Sequence, residues 1–281
     1  ALEAGVTTTD GGKLTFDFST GNYSYSSIGT VTADYDEVFA VTVADADGDT
    51  STLNLIIDVN NTTADPSQSV TQTYESVTSN ITTGAGHDTL TMNDDIESGA
   101  VIDTGLGDDK VTVMDDFING TINTGAGNDT VEIKDDLGNA TESGDINTGS
   151  GDDTIIVEDF VSGSIDGGEG LDTLVFGEVN IDLSALDDKI SNIETIKLDS
   201  GDQNITSLTT EDVFNITDSD NVLRIDGDSD DTVSLDSGEW TLGDFKTDAE
   251  TGVGYNEYTG QADDGSSVTL EISTNVDVEQ S

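Results

Sequence analysis

The chain has no cysteine, one proline, one tryptophan and one histidine, and only seven lysine and arginine residues among 281. Each scarcity excludes a class of chemistry. Without cysteine there is no disulfide and no thiolate zinc site. With His87 alone there is no multi-histidine metal centre and no catalytic histidine relay. Seven scattered cations cannot form the basic footprint that neutralises phosphates, so nucleic acid is not a partner. An anionic membrane surface fails on the same ground. No run of about 18 apolar residues is present, so no membrane insertion is expected. The first residues lack a basic, then apolar, leader pattern, so the sequence reads as starting inside a longer parent chain.

Acid is what the chain has in excess. Sixty aspartates and glutamates give a formal charge of -53, about one uncompensated charge per five residues. Such a chain is a solvated acidic polymer, a salt-adapted protein, or a protein whose carboxylates meet bound cations. The placement of the aspartates separates these readings.

Five segments share the pattern apolar-x-x-Gly-x-Gly-x-Asp-x-apolar: ITTGAGHDTL from Ile81, IDTGLGDDKV from Ile102, INTGAGNDTV from Ile122, INTGSGDDTI from Ile146 and IDGGEGLDTL from Ile165. Their closing aspartates are Asp88, Asp109, Asp129, Asp153 and Asp172, spaced 21, 20, 24 and 19 residues apart. The paired glycines are Gly84 and Gly86, Gly105 and Gly107, Gly125 and Gly127, Gly149 and Gly151, and Gly168 and Gly170. A second, weaker repeat lies between them: Asp94-Asp95, Asp115-Asp116, Asp135-Asp136 and Glu158-Asp159, each beside apolar residues and followed shortly by glycine. Each period thus holds two short strands and two turns, which stacked in register make a parallel β-solenoid. Alternation predicts that Leu90 and Met92, Val111 and Val113, and Val131 and Ile133 point inward, together with the isoleucines that open the five segments.

The expected fold is all-β. Residues 1–62 alternate over short strands and read as an antiparallel β-sandwich-like segment. Residues 63–77, with Pro66, read as a linker. Residues 78–178 form the parallel β-roll, and 179–281 a β-rich C-terminal cap with short helices near 185–190 and 209–214.

The repeat chemistry points to calcium. Glycines permit the backbone angles that turn carbonyl oxygens inward, and the aspartates add hard carboxylate oxygens. Calcium takes six to eight oxygens at about 2.3–2.6 Å in irregular geometry, whereas magnesium demands a strict octahedron. Turns stacked about 4.8 Å apart let one cation share oxygens from two coils and cancel the repulsion along an aspartate ladder. Five loops leave four gaps, so about four ions are expected in this row. Further candidate ligands are the acidic pairs Asp94 and Asp95, Asp115 and Asp116, Asp135 and Asp136, and Glu158 and Asp159. Asp45, Asp47 and Asp49, and the turn holding Asp226 and Asp228, complete the set. Metal-free polar turns shaped by glycine are the competing reading. His87 occupies a variable slot and reads as an outward side chain without special role. Neither a Gly-x-Ser-x-Gly elbow, nor HExxH, nor a phosphate-binding loop occurs, and an enzyme is not expected.

The five segments resemble the calcium-binding nonapeptide repeats of the RTX family, with the first family glycine kept only at Gly167 and replaced by Thr83, Thr104, Thr124 and Thr148 elsewhere. Residues 12–59, with Ala44-Asp45-Ala46-Asp47-Gly48-Asp49, resemble the end of an Ig-like or cadherin-like extender domain. The stretch from Ile193-Glu194-Thr195-Ile196 through Trp240 to Val268-Thr269-Leu270 resembles the C-terminal region of large bacterial RTX adhesins. The resemblance implies a calcium-stabilised, monomeric segment of an extracellular or cell-surface adhesin. It further implies the type I secretion machinery and neighbouring extender domains as partners. Alternatives from other classes are a calcium-mediated carbohydrate- or protein-binding module, the C-terminal RTX part of a secreted enzyme, and an ice-binding face built on the column of Thr83, Thr104, Thr124 and Thr148.

Overall fold

The computed structural model describes the strands Glu3–Thr7, Lys13–Asp17, Tyr23–Ser26, Tyr35–Ala44 and Thr50–Val59, and then residues 69–280 except 76, 97, 98, 178, 179, 187, 199, 200 and 250. The chain divides into two units, Ala1–Asp65 and Pro66–Ser281. In the first, three strands from Glu3 to Ser26 form one antiparallel sheet, and Tyr35–Ala44 pairs with Thr50–Val59 as a ten-residue antiparallel ladder. The last four of these strands overlap alternating segments read from the sequence, and Glu3–Thr7 is an addition.

The second unit is a parallel β-solenoid. One sheet stacks Thr71–Tyr74, Thr89–Met92, Lys110–Val113, Thr130–Leu137, Thr154–Phe160 and Thr173–Phe176, each paired in parallel with the next. The opposite sheet stacks Ile81–Ala85, Ala100–Leu106, Gly120–Ala126, Gly144–Ser150, Gly163–Glu169 and Ile190–Ser191. The Gly-x-Gly-x-Asp segment is the turn from the second sheet to the first. The acidic pairs sit on the return side, where isolated bridges link Val77, Ile96, Phe117 and Leu137 from coil to coil. Leu90, Met92, Val111, Val113, Val131 and Ile133 are fully buried, as strand alternation requires, and Ile102, Ile122, Ile146 and Ile165 face them. No coil can bury its own apolar face, so stacking creates this core.

Two boundaries differ from the sequence reading. Thr71–Tyr74 falls within the expected linker, yet it is the first rung of the large sheet, paired with Thr89–Met92. Its inward positions are Gln72 and Tyr74, a polar residue and an aromatic in place of two aliphatics, which weakens its hydrophobicity pattern. The C-terminal cap also continues the solenoid: Thr195–Leu198, Val222–Asp226 and Ser267–Ser273 extend the same sheet in parallel. An antiparallel ribbon, Thr241–Thr247 with Gly254–Gln261, ends it. A four-stranded parallel sheet, from Asn180–Ile181 to Asp277–Gln280, lies in the same region. The helix Thr210–Ile216 starts at Thr209, whose side chain accepts from Asp212 N–H while the Asp212 carboxylate accepts from Thr209 N–H. The other expected helix is a single 3-10 turn, Leu183–Leu186.

Candidate metal centre

At the glycine edge, sterics explain the glycines directly. Gly127 has φ +140°, and a Cβ there would lie 2.1 Å from the Gly107 carbonyl oxygen. Gly107, at φ +119°, would meet Gly86 O at 2.0 Å. Only glycine allows both this backbone and this close approach of coils.

The aspartates form an internal ladder. Asp88 N–H donates to Asp109 Oδ1 at 2.7 Å, Asp109 N–H to Asp129 Oδ1 at 2.7 Å, Asp129 N–H to Asp153 Oδ1 at 2.7 Å, and Asp153 N–H to Asp172 Oδ1 at 2.9 Å. Val70 N–H opens the ladder on Asp88, and Glu194 closes it by accepting from Asp172 N–H at 2.9 Å. All five aspartates are at most 2 % exposed. Each therefore spends one oxygen on a backbone N–H of the preceding coil. The other oxygen, Oδ2, is buried in all five and has no hydrogen-bond partner.

The threonine column explains why. Thr104, Thr124 and Thr148 are fully buried beside Asp109, Asp129 and Asp153, and these hydroxyls offset part of the burial effect on the acids. The hydroxyl protons, however, go to the next coil: Thr104 to Thr124 O at 3.1 Å, Thr124 to Thr148 O at 3.0 Å, and Thr148 to Gly167 O at 2.9 Å. A hydroxyl has one proton to give. Burial accordingly pushes Asp109 and Asp153 up, and raises Asp129 to about 6. Asp172 rises to about 7, mainly through burial. Its coil has Gly167 in place of threonine, where a Cβ would lie 2.6 Å from Asp172 Oδ2 and 2.1 Å from Asn192 O. Because three of the four threonines are interior, this column cannot serve as an outward ice-binding array.

His87 is exposed, as its variable slot implies, but it is not without a role: its Nδ1 accepts Asp108 N–H at 3.0 Å. Asp108 Oδ1 takes Asn128 N–H, Asn128 Oδ1 takes Asp152 N–H, and Asp152 Oδ1 takes Leu171 N–H, at 2.9–3.0 Å. A second, outer ladder thus runs in the opposite sense to the aspartate ladder, and Leu171 ends it. The varied residues in this slot are all hydrogen-bond acceptors until that end, a shared property that residue identity conceals.

At the opposite edge the acids are exposed or half-buried. Asp94, Asp95 and Asp115 bring one carboxylate oxygen each within 4.8 Å of one another, and so do Asp115, Asp116 and Asp135. Asp136 stands in register with Asp159, while Glu158 is exposed at the same turn. Partial burial, then repulsion from Asp115, Asp116 and Asp94, raises Asp95; partial burial, then Asp116, Asp159 and Asp135, raises Asp136.

The remaining candidates divide. Asp45, Asp47 and Asp49 lie outside the described residues. Asp226 Oδ1 accepts the Tyr255 hydroxyl at 2.6 Å, and Asp228 Oδ1 accepts Asp230 N–H at 2.9 Å. The buried carboxylate of that turn is Asp231, 1 % exposed, whose oxygens accept Gln203 N–H at 3.0 Å and Asp228 N–H at 2.7 Å. Glu194 is a ladder residue that the glycine motif misses, and Asp231 plays a similar part at the separate four-stranded sheet, where it accepts Gln203 N–H. Their signal is the tail, acid-Thr-apolar, shared by Asp129-Thr130-Val131, Glu194-Thr195-Ile196 and Asp231-Thr232-Val233.

The donor set fits a hard cation: five buried, unpartnered carboxylate oxygens in a row on one edge and two carboxylate clusters on the other. No known protein family, curated protein or solved structure matches the chain. The molecule is a β-solenoid with a regular aspartate ladder, consistent with a calcium-binding structural module. Among the described residues no helix is long and apolar enough to cross a membrane.

Proposed function

We propose that the chain is a calcium-dependent structural and secretion-folding module of an extracellular bacterial adhesin, non-enzymatic and monomeric. In this reading it passes the type I secretion machinery unfolded and folds outside the cell next to neighbouring extender domains. The observation that carries the calcium part is the row of five buried Oδ2 atoms without partners. Leaving a buried carboxylate oxygen unpaired is costly, and a ladder of such charges repels itself. Asp88, Asp109, Asp129, Asp153 and Asp172 would hold the ions, helped by carbonyls of the paired glycines. The acidic pairs Asp94 and Asp95, Asp115 and Asp116, and Asp135 and Asp136 would form a second row.

Bound calcium supplies positive charge and an irregular oxygen shell. The chain's own part is to bring these oxygens together only when folded, so calcium shifts the equilibrium toward the fold. At about 100 times Kd the linkage is roughly 2.7 kcal/mol per independent site. Where calcium is scarce, a chain of this charge stays expanded. The absence of cysteine suits folding that does not wait for oxidation. The adhesin and secretion parts rest on the resemblance of the repeats and flanks to RTX adhesins.

The test is far-UV circular dichroism of chelated protein titrated with calcium, with magnesium and high sodium chloride as controls. A cooperative gain of β signal with calcium alone is expected. A protein fully folded in chelator and indifferent to calcium would contradict the proposal.

A further inference from the structure

Further along the edge that carries the acidic pairs, beyond Glu158 and Asp159, a cleft of about 310 Å³ opens where Thr195–Leu198, Val222–Asp226 and Ser267–Ser273 end, roofed by the turn of the C-terminal ribbon. Its floor carries Lys197 and Asp226, which are direct neighbours across two parallel strands. One wall is Tyr255, 3 % exposed, whose hydroxyl donates to Asp226 Oδ1. The ring of Tyr255 packs under the Arg224 guanidinium, 4.6 Å from its centroid. Arg224 is itself held by Asp248 at 3.2 Å and Glu271 at 3.1 Å. The turn above is braced too, with Thr251 N–H and hydroxyl both on Asp248 Oδ1 at 2.8 and 3.0 Å. Asn275 and Asp228 complete the polar lining, and Leu198 and Val253 add a small apolar surface.

We propose that this cleft binds a neutral saccharide unit. The lining offers carboxylate acceptors and an ammonium and amide as donors within one rigid frame. Sugar hydroxyls both donate and accept, and so match such a mixed set, while C–H faces suit Leu198 and Val253. An anion meets Asp226, Asp228 and a chain of -53 charge. A cation meets Lys197 on the floor and finds Asp226 Oδ1 already engaged by Tyr255. A neutral ligand avoids both penalties. The bracing of Asp226, Tyr255 and Thr251 before any ligand arrives lowers the ordering cost of binding. None of these residues belongs to the glycine-edge ladder, but Asp226 and Asp228 are also candidate calcium ligands, so added calcium in the test separates the two readings.

The test is ligand-observed NMR and calorimetric titration of the full chain in calcium. The probes are glucose, galactose, mannose, fucose and N-acetylglucosamine in turn, with sodium sulfate as anion control and added calcium as cation competitor. At least one sugar is expected to bind with a Kd on the order of 1 mM. Asn275→Ala and Asp226→Asn should each weaken it about tenfold, the loss of one hydrogen bond. Asp226→Asn keeps an acceptor for Tyr255, and Asn275→Ala touches a rim residue, so unchanged circular dichroism is expected of both. No binding across the panel, binding that neither variant alters, or displacement of the sugar by sulfate or calcium would each overturn the proposal.

Discussion

The two edges of each coil carry the same side chain in opposite surroundings. At the glycine edge, aspartates are buried, ordered by backbone N–H groups and left with one orphan oxygen each. At the other edge, aspartates are solvated and crowd one another. One edge is built into the fold and needs a counter-charge to be stable. The other is a charged surface on which a cation is optional. Sensitivity to substitution, to pH and to calcium should therefore differ sharply between them.

The largest effect belongs to Asp129→Ala. It leaves the buried Asp109 N–H unpaired and opens a small void, so urea unfolding in calcium should show a loss of about 3 kcal/mol. A loss no larger than that of a surface substitution would show that the ladder is not structural. Next is Gly127→Ala, where a Cβ meets Gly107 O in a left-handed backbone; about 2 kcal/mol should be lost.

The pH response sharpens the contrast. Asp129 and Asp172 have folded pKa values raised to about 6 and about 7 from an ordinary 3.8. Between about pH 4 and 7 the folded state therefore binds more protons than the unfolded one. In chelator, this contribution is fully present below about pH 4 and is lost as pH rises through 6 to 7. With calcium present the slope should reverse, because carboxylate ligands must be ionised to bind. Thermal melts across pH 5 to 7.5, with and without calcium, read both slopes, and equal slopes would contradict the buried-ladder account. The smallest effect is expected from Asp115→Asn. Relieving repulsion on the solvated edge should change stability in chelator by no more than about 0.5 kcal/mol, with the sign toward stabilisation.

Much of this contrast was legible in the residues. Period, strand alternation and the glycine turns follow from Gly105-Leu106-Gly107-Asp108-Asp109 and its copies, because backbone strain and burial leave a local mark. The extent of the roll is not legible, because the first rung turns Gln72 and Tyr74 inward, the next coil keeps only Glu194-Thr195-Ile196 without the glycines, and the one after has Leu223-Arg224-Ile225 in register. The direction of the threonines is not legible for a different reason. A threonine beside a turn looks alike whether it faces water or an internal carbonyl, and only the register of the coils decides. The orphan oxygens likewise appear only when every donor around Asp129 has been assigned, since the sequence does not say that Thr124 gives its proton to Thr148.

The most direct measurement is the number of calcium ions held per chain by native mass spectrometry, for the wild type, Asp129→Asn, and Asp115→Asn combined with Asp116→Asn. Asp129→Asn keeps an acceptor for Asp109 N–H and removes the buried charge, so the fold should persist with at least one tightly held ion fewer. The outer-edge variant should keep the tight ions and lose only weakly held ones. An Asp129→Asn chain that retains every ion of the wild type would contradict the assignment of calcium to the buried ladder.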